Sequence, residues 1–311
     1  MSTEQYRTER TRLAVAGARA RTRMALDRQP TADVRKGAVF KGLLLLAVGI
    51  ALAMLAALIA DAVIDGKDRL GLDLLFEKGS GDPEEAGLQQ ALLGTIYLIG
   101  GVLATVVPLG VGAAIYLEEY ADDTKWWNRL IEVNIQNLAA VPSIVYGILG
   151  LAFIVRGPLD LGFVVAAGSL TLALLVLPTV ILAGREAIRA VPSSIREGSL
   201  ALGATKWQTI RHQVLPASIP GVVTGVILAV SRAIGETAPL LLVGAATFVT
   251  FNPSFFEGGY TALPVQIFQW VTRPQDEFRV LAAAGIVVLL IVLLAMNSFA
   301  IWLRNRYEQQ W

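Results

Sequence analysis

Apolar residues in this chain run in long stretches instead of recurring once per helical turn or alternating. A helix that crosses a bilayer needs about 20 predominantly apolar residues. Six segments reach that length: residues 42–64, 91–117, 135–155, 161–183, 221–243 and 280–303. The third is the weakest, because Pro142, Ser143 and several glycines interrupt it, and the fourth carries Pro178. The pattern predicts an all-α, polytopic membrane protein with six transmembrane helices. Ala60-Asp61-Ala62 resembles a small-residue cleavage site. The apolar run before it exceeds the roughly 7–15 residues of a signal peptide, however, so an uncleaved anchor is expected.

Lysine and arginine orient such a bundle, since they accumulate on the cytoplasmic side. Ten precede the first span, two (Lys125, Arg129) lie between the second and third, five between the fourth and fifth, and two (Arg304, Arg306) follow the sixth. The opposite side holds six, and Arg232 falls inside a span. Residues 1–41 are therefore expected to be a cytoplasmic Arg-rich tail and residues 65–87 an external loop. Residues 88–304 form the core, and 305–311 a cytoplasmic C-terminus. Tyr116, Tyr120, Trp126 and Trp127 after the second span, and Trp302, Tyr307 and Trp311 after the sixth, fit an interfacial aromatic belt on that side. The tail reads either as an amphipathic helix held by anionic membrane lipid or as a segment that only sets topology. Residues 248–278 read as a second outer loop, with Asn252-Pro253, Gly258-Gly259 and Arg273-Pro274 as turn signals.

Composition narrows the chemistry. Of 311 residues 55% are hydrophobic and 16% charged, against about 25% charged in soluble domains, and the mean hydropathy is +0.59. With no cysteine, disulfide frameworks, thiolate metal sites and cysteine nucleophiles are excluded. His212, the single histidine, lies beside Arg211 in a polar loop and reads as a surface or interface residue. A net charge of +1 implies no nucleic-acid partner. No G-x-x-x-x-G-K-[ST] phosphate loop occurs, so the chain is expected to be no enzyme and to hydrolyse no ATP itself. The acidic group Glu118, Glu119, Asp122 and Asp123 reads either as a solvated helix end or as a contact for the basic loop that follows the fourth span.

That loop, residues 184–220, carries the most information. Ser194-Ile195-Arg196-Glu197 and Thr205-Lys206-Trp207-Gln208 both have capping-box spacing. Gly203 suits the left-handed residue that ends a helix. Two short helices joined at Gly203 are predicted, the second stopping before Pro216. Trp207, Ile210 and Val214 share a face, which either docks in a partner's groove or covers the protein's own surface. The segment resembles the coupling loop of bacterial ABC importer permeases. That loop reads Glu-Ala-Ala, three residues, Gly, nine residues, Ile, any residue, Leu-Pro. Glu197, Gly203 and Leu215-Pro216 match, while Gly198, Ser199 and Gln213 depart from it. The resemblance implies insertion into a cleft of an ATP-binding subunit.

The fifth span contains Ser231-Arg232-Ala233-Ile234-Gly235-Glu236-Thr237-Ala238-Pro239. A charge at the centre of a membrane helix costs about 2.5–3.5 kcal/mol on insertion scales. Arg232 and Glu236, spaced i, i+4, can pair along one face. The pair either neutralises itself or lines a path. A guanidinium presents a fork of donors suited to an oxyanion, and a partial counter-charge keeps binding weak enough for release. Gly221 and Gly225 form a GxxxG that permits close helix approach.

Ala140–Gly147 (AVPSIVYG) and Gly235–Leu241 (GETAPLL) resemble segments of phosphate ABC permeases, and the likeness extends over residues 88–304. It implies an ABC importer permease of the MetI-like fold that moves inorganic phosphate. Arg232, Glu236, Thr237 and Ser143 would lie along the substrate path. Glu197, Gly203, Trp207, Leu215 and Pro216 would couple to the ATPase. The implied partners are a sister permease (PstC-like), a dimer of ATP-binding subunits (PstB-like) that holds ATP and magnesium, and an external phosphate-binding protein (PstS-like). No cofactor is expected on this chain. A permease for another oxyanion such as sulfate or molybdate, and a channel or carrier working without ATP, are the alternatives. A membrane enzyme is disfavoured, since no nucleophile–base or metal constellation is visible.

Overall fold

The computed structural model describes residues 31–122, 124–245 and 249–307, with the side chains of 31–35 and 307 excluded. Residues 1–30 of the expected Arg-rich tail, Asp123 and Trp311, for which the sequence raises expectations, lie outside these residues, while residues 31–41 of that tail are helical. The described chain is helical without strands and divides into two units at Asp61/Ala62. The first unit holds most of α1 (Thr31–Gly66), a long apolar helix whose side chains from Val39 to Ile59 include no buried residue.

The second unit contains the remaining elements. After a 3-10 turn at Lys67–Arg69 come α2 (Leu72–Phe76) and α3 (Gln89–Ile115), which runs into a π turn at Tyr116–Tyr120. Next are α4 (Trp126–Ala139) and α5 (Ser143–Leu149), the latter continued by a π turn at Gly150–Val155. Then follow α6 (Val165–Arg189), α7 (Ser193–Ala201) and α8 (Lys206–Thr209), with a π turn at Ile210–Val214. The last are α9 (Leu215–Gly235), α10 (Ala238–Leu242), α11 (Leu263–Val271) and α12 (Asp276–Tyr307). Five of the described helical stretches are long and apolar enough to cross a membrane, and the bent pair α4–α5 supplies a sixth.

Helix α6 is central: 72% of its apolar window is buried, against 33% for α3 and 28% for α9 and for α12. A helix apolar all round belongs inside a bundle, and small residues let its neighbours close on it. A side chain at Gly101 or Gly110 of α3 would strike Ser169 or Val180 of α6. Gly221 and Gly225 of α9 sit over Ala187 and Ala183. The GxxxG motif is thus consumed by packing within this chain. Leu98, Val102, Leu172, Leu175, Val176, Val180, Ala229 and Ala233 fill the space between these helices.

Several expectations are corrected. Residues 135–155 are not one straight helix: the chain turns by 107° between α4 and α5. Pro142 forces extended geometry on the residue before it. The Tyr146 hydroxyl donates to the Leu138 carbonyl at 2.8 Å across the corner. The fifth span ends at Gly235, because Glu236 is extended (ψ 120°). The helix through residues 206–235 does not stop before Pro216. In a regular helix that proline's ring would meet the His212 carbonyl; the wide turn at Ile210–Val214 lies there instead, and the helix continues. Residues 65–90 and 248–278 are not plain exposed loops. Leu74, Ala86, Leu88, Leu263, Trp270, Phe278 and Leu281 form a second core, and Arg69 donates to the Glu84 and Ala86 carbonyls.

Candidate functional site

Two regions carry the chemistry. The first is the end of the bundle formed by residues 185–214. Gly203, at φ +86°, makes the left-handed turn between α7 and α8, a conformation that costs a residue with a Cβ roughly 1–2 kcal/mol. Thr205 and Gln208 form the expected reciprocal capping box, with bonds of 3.3 and 2.8 Å. The box expected at Ser194–Glu197 does not form. Pro192 occupies the cap position with no side-chain bond, and the helix starts at Ser193. Proline's fixed φ suits a helix start, so it displaces the serine from that role.

The face read from Trp207, Ile210 and Val214 splits. Ile210 and Val214 are buried, Val214 against Ala114, Ile188 and Val191, while Trp207 is exposed. What α7 and α8 present outward is Leu200, Leu202 and Trp207. Leu202 is 91% exposed at the tip of the turn. Glu197 is exposed and forms no ion pair among the described residues. Leu215 and Pro216, half-buried, open α9 and root the loop in the bundle.

Beneath the loop lies an ionic network that the sequence left open. Glu118 accepts two bonds of 2.9 Å from Arg189 and lies 3.5 Å from Arg185 Nε. Arg185 pairs with Glu132 of α4 at 2.9 Å. Arg196 of α7 pairs with Glu119 at 2.8 Å and also donates to the Ile188 and Val191 carbonyls. Lys206 stands over the Tyr120 ring. The acidic group thus meets the basic loop through Glu118 and Glu119. Asp122 instead caps Thr124, whose hydroxyl and amide hold its carboxyl below the usual carboxylate range.

The second region is the break after α9. Arg232 Nε donates to Glu236 Oε1 at 3.2 Å, with side chains 41% and 17% exposed. The pair survives the end of the helix because Glu236 sits at its C-cap. Thr237 occupies the N-cap of α10 and its carbonyl accepts from Leu241. Ser143 begins α5, half-buried. No hydrogen bond joins Ser143 or Thr237 to the Arg232–Glu236 pair among the described residues. Gly147 abuts Pro239 so closely that a Cβ would lie 2.7 Å from its Cα. The segments 140–147 and 235–241, almost a hundred residues apart, are therefore packed together. Ser231, next to Arg232, bonds Asn297 of α12 at 2.6 Å, a partner that no local pattern signals.

Residues 106–309 match the family described as binding-protein-dependent transport system inner membrane component. The chain belongs to this family. Among its relatives, the phosphate transport system permease protein PstA 1 of Mycobacterium tuberculosis is 38% identical over 71% of this chain and 71% of its own length. The phosphate transport system permease protein PstA of Haemophilus influenzae is 32% identical over 83% and 90%. A probable ABC transporter permease protein of Bacillus subtilis, YqgI, is 31% identical over 84% and 92%. Two solved structures share the fold. One is a bacterial alginate ABC transporter in complex with its alginate-bound periplasmic protein, at TM-score 0.64 and 14% identity, covering 90% of this chain and 98% of that one. The other is the inward-facing MetNI methionine ABC transporter, at 0.56 and 17%, covering 72% and 95%. As an inner membrane component of a binding-protein-dependent system, the chain is a multi-pass ABC permease subunit. The long apolar helices are its spans.

Proposed function

We propose that this chain is one of two permease subunits of an ATP-driven importer of inorganic phosphate. It forms half of the path and couples through residues 193–216 to an ATP-binding subunit. The observation that carries the reading is the half-exposed Arg232 guanidinium, only partly offset by Glu236, at a helix break where two phosphate-permease-like segments pack together. Charged donors bind a phosphate oxyanion in a directed fork, and the neighbouring carboxylate limits residence. The names of the relatives point to the same cargo.

The end carrying Gly203 faces the cytoplasm, where lysine and arginine are concentrated. Leu200, Leu202 and Trp207 then form the apolar anchor for the ATPase cleft, with Glu197 beside them. ATP and magnesium sit on that partner. A PstC-like sister permease completes the path, and a PstS-like binding protein delivers phosphate from outside.

The test is labelled phosphate uptake into vesicles holding the reconstituted complex. A hydrogen bond to a charged group contributes about 1.5–3 kcal/mol. Arg232→Gln should therefore lower uptake at limiting phosphate about tenfold or more while the subunits still co-purify. Normal uptake by that variant would refute the role of Arg232. Preference for sulfate or molybdate would move the cargo to another oxyanion. Uptake by this chain alone, indifferent to ATP and to replacement of Glu197 and Gly203, would make it a carrier.

A further inference from the structure

The loop that meets the ATPase must hand its displacement to the spans, and hydrophobic packing alone leaves α7 weakly held. No residue of α7 is buried. Its firm attachment is Arg196, which makes three contacts at once. It pairs with Glu119 and donates to the carbonyls of Ile188 and Val191 at 2.8 and 2.6 Å. Glu119 is only 9% exposed and Arg196 23%, so water screens the pair weakly. Glu119 belongs to the π turn that ends the second span. The neighbouring Glu118 ties the same turn to Arg185 and Arg189 at the end of α6, and Arg185 ties α4 through Glu132. Three carboxylates and three guanidinium groups thus gather the ends of α3 and α6, the middle of α4 and the start of α7.

We propose that Glu119 and Arg196 are positioning residues for energy coupling: a strut that makes α7 and the end of the second span move as one body. The strut rests on the coupling role proposed above for residues 193–216. Phosphate and nucleotide touch neither residue. Losing the pair leaves the ATPase docked on Leu200, Leu202 and Trp207 and able to turn over, while its displacement is dissipated before it reaches the path. A buried pair also resists separation, since parting it strands a charge away from water.

The measurement is phosphate imported per ATP hydrolysed by the reconstituted complex. Glu119→Gln and Arg196→Gln should each lower that ratio about fivefold or more, the scale of a typical coupling between sites, with ATPase activity retained. The double variant should be no worse than either single, because both remove one interaction. Since the chain has no native cysteine, Glu119→Cys with Arg196→Cys offers a rescue: bridging the two thiols with a short bifunctional reagent should raise the ratio again. An unchanged ratio in Glu119→Gln, multiplying losses in the double variant, or a bridge that fails to restore coupling would overturn the strut. Should Glu119→Gln not assemble, Glu119→Asp carries the same test, as its shorter reach keeps the charge but stretches the pair. A lowered ratio supports the strut and an unchanged one overturns it. Absence of ATP-driven uptake in the unaltered complex would instead sink the functional reading itself.

Discussion

Arg232 is costly to keep in a membrane, and Glu236 lowers that cost by accepting its Nε–H at 3.2 Å. The two side chains differ in exposure, 41% against 17%, so the guanidinium presents free donors while the carboxylate is turned inward. Neutralising the carboxylate should leave a stronger anion trap. Glu236→Gln is expected to lower the phosphate concentration for half-maximal uptake and to slow the maximal rate, because release becomes limiting. Initial rates over a range of phosphate concentrations check this; a lower rate with no gain in apparent affinity would contradict it. The pairing was legible from i, i+4 spacing alone. The helix end at Gly235 was not, although Pro239 marks a place where a helix restarts. The Ser231–Asn297 bond was not legible either, since its partners lie 66 residues apart.

At the scale of elements, apolar length is a reliable guide and direction is not. The second, fourth and sixth spans lie within a few residues of the positions that hydrophobicity gives, because only a membrane accommodates so long an uncharged run. The third is broken into two helices because Pro142 turns the chain, and a composition window cannot tell a kink from a corner. Local chemistry fared similarly around residues 193–214. Gly203 and the Thr205–Gln208 box were readable because their partners lie within three residues. The Ser194 cap was not, because Pro192 claims the helix start. Glu118 and Glu119 find their arginines 71 and 77 residues away, beyond any local pattern. The intact box fixes the second helix of the loop. Thr205→Ala should therefore destabilise it by about 1 kcal/mol. Faster amide exchange confined to residues 205–209 would show this, and unchanged exchange would deny the box its role.

For the whole molecule, the two ends are built differently. One end is held by ion pairs among α3, α4, α6 and α7; the other by the apolar core of Leu74, Leu88, Leu263, Trp270 and Phe278. In the proposed importer the first end shifts with nucleotide, and a few defined ion pairs can carry α7 through that shift as one body, whereas close-packed side chains resist any change of volume. On the proposed orientation, which follows the lysine and arginine distribution, the ionic end is cytoplasmic. A chain without cysteine makes that assignment testable with single reporters. Leu202 and Leu72 are 91% and 72% exposed at the two ends, so a thiol at either position disturbs no packing. In intact cells Leu72→Cys should react with a membrane-impermeant maleimide while Leu202→Cys should not. Permeabilised cells should label both. The reverse pattern would turn the molecule over. Leu202 would then lie on the face away from ATP, and with it would fall both the docking of the ATPase and the strut that serves it.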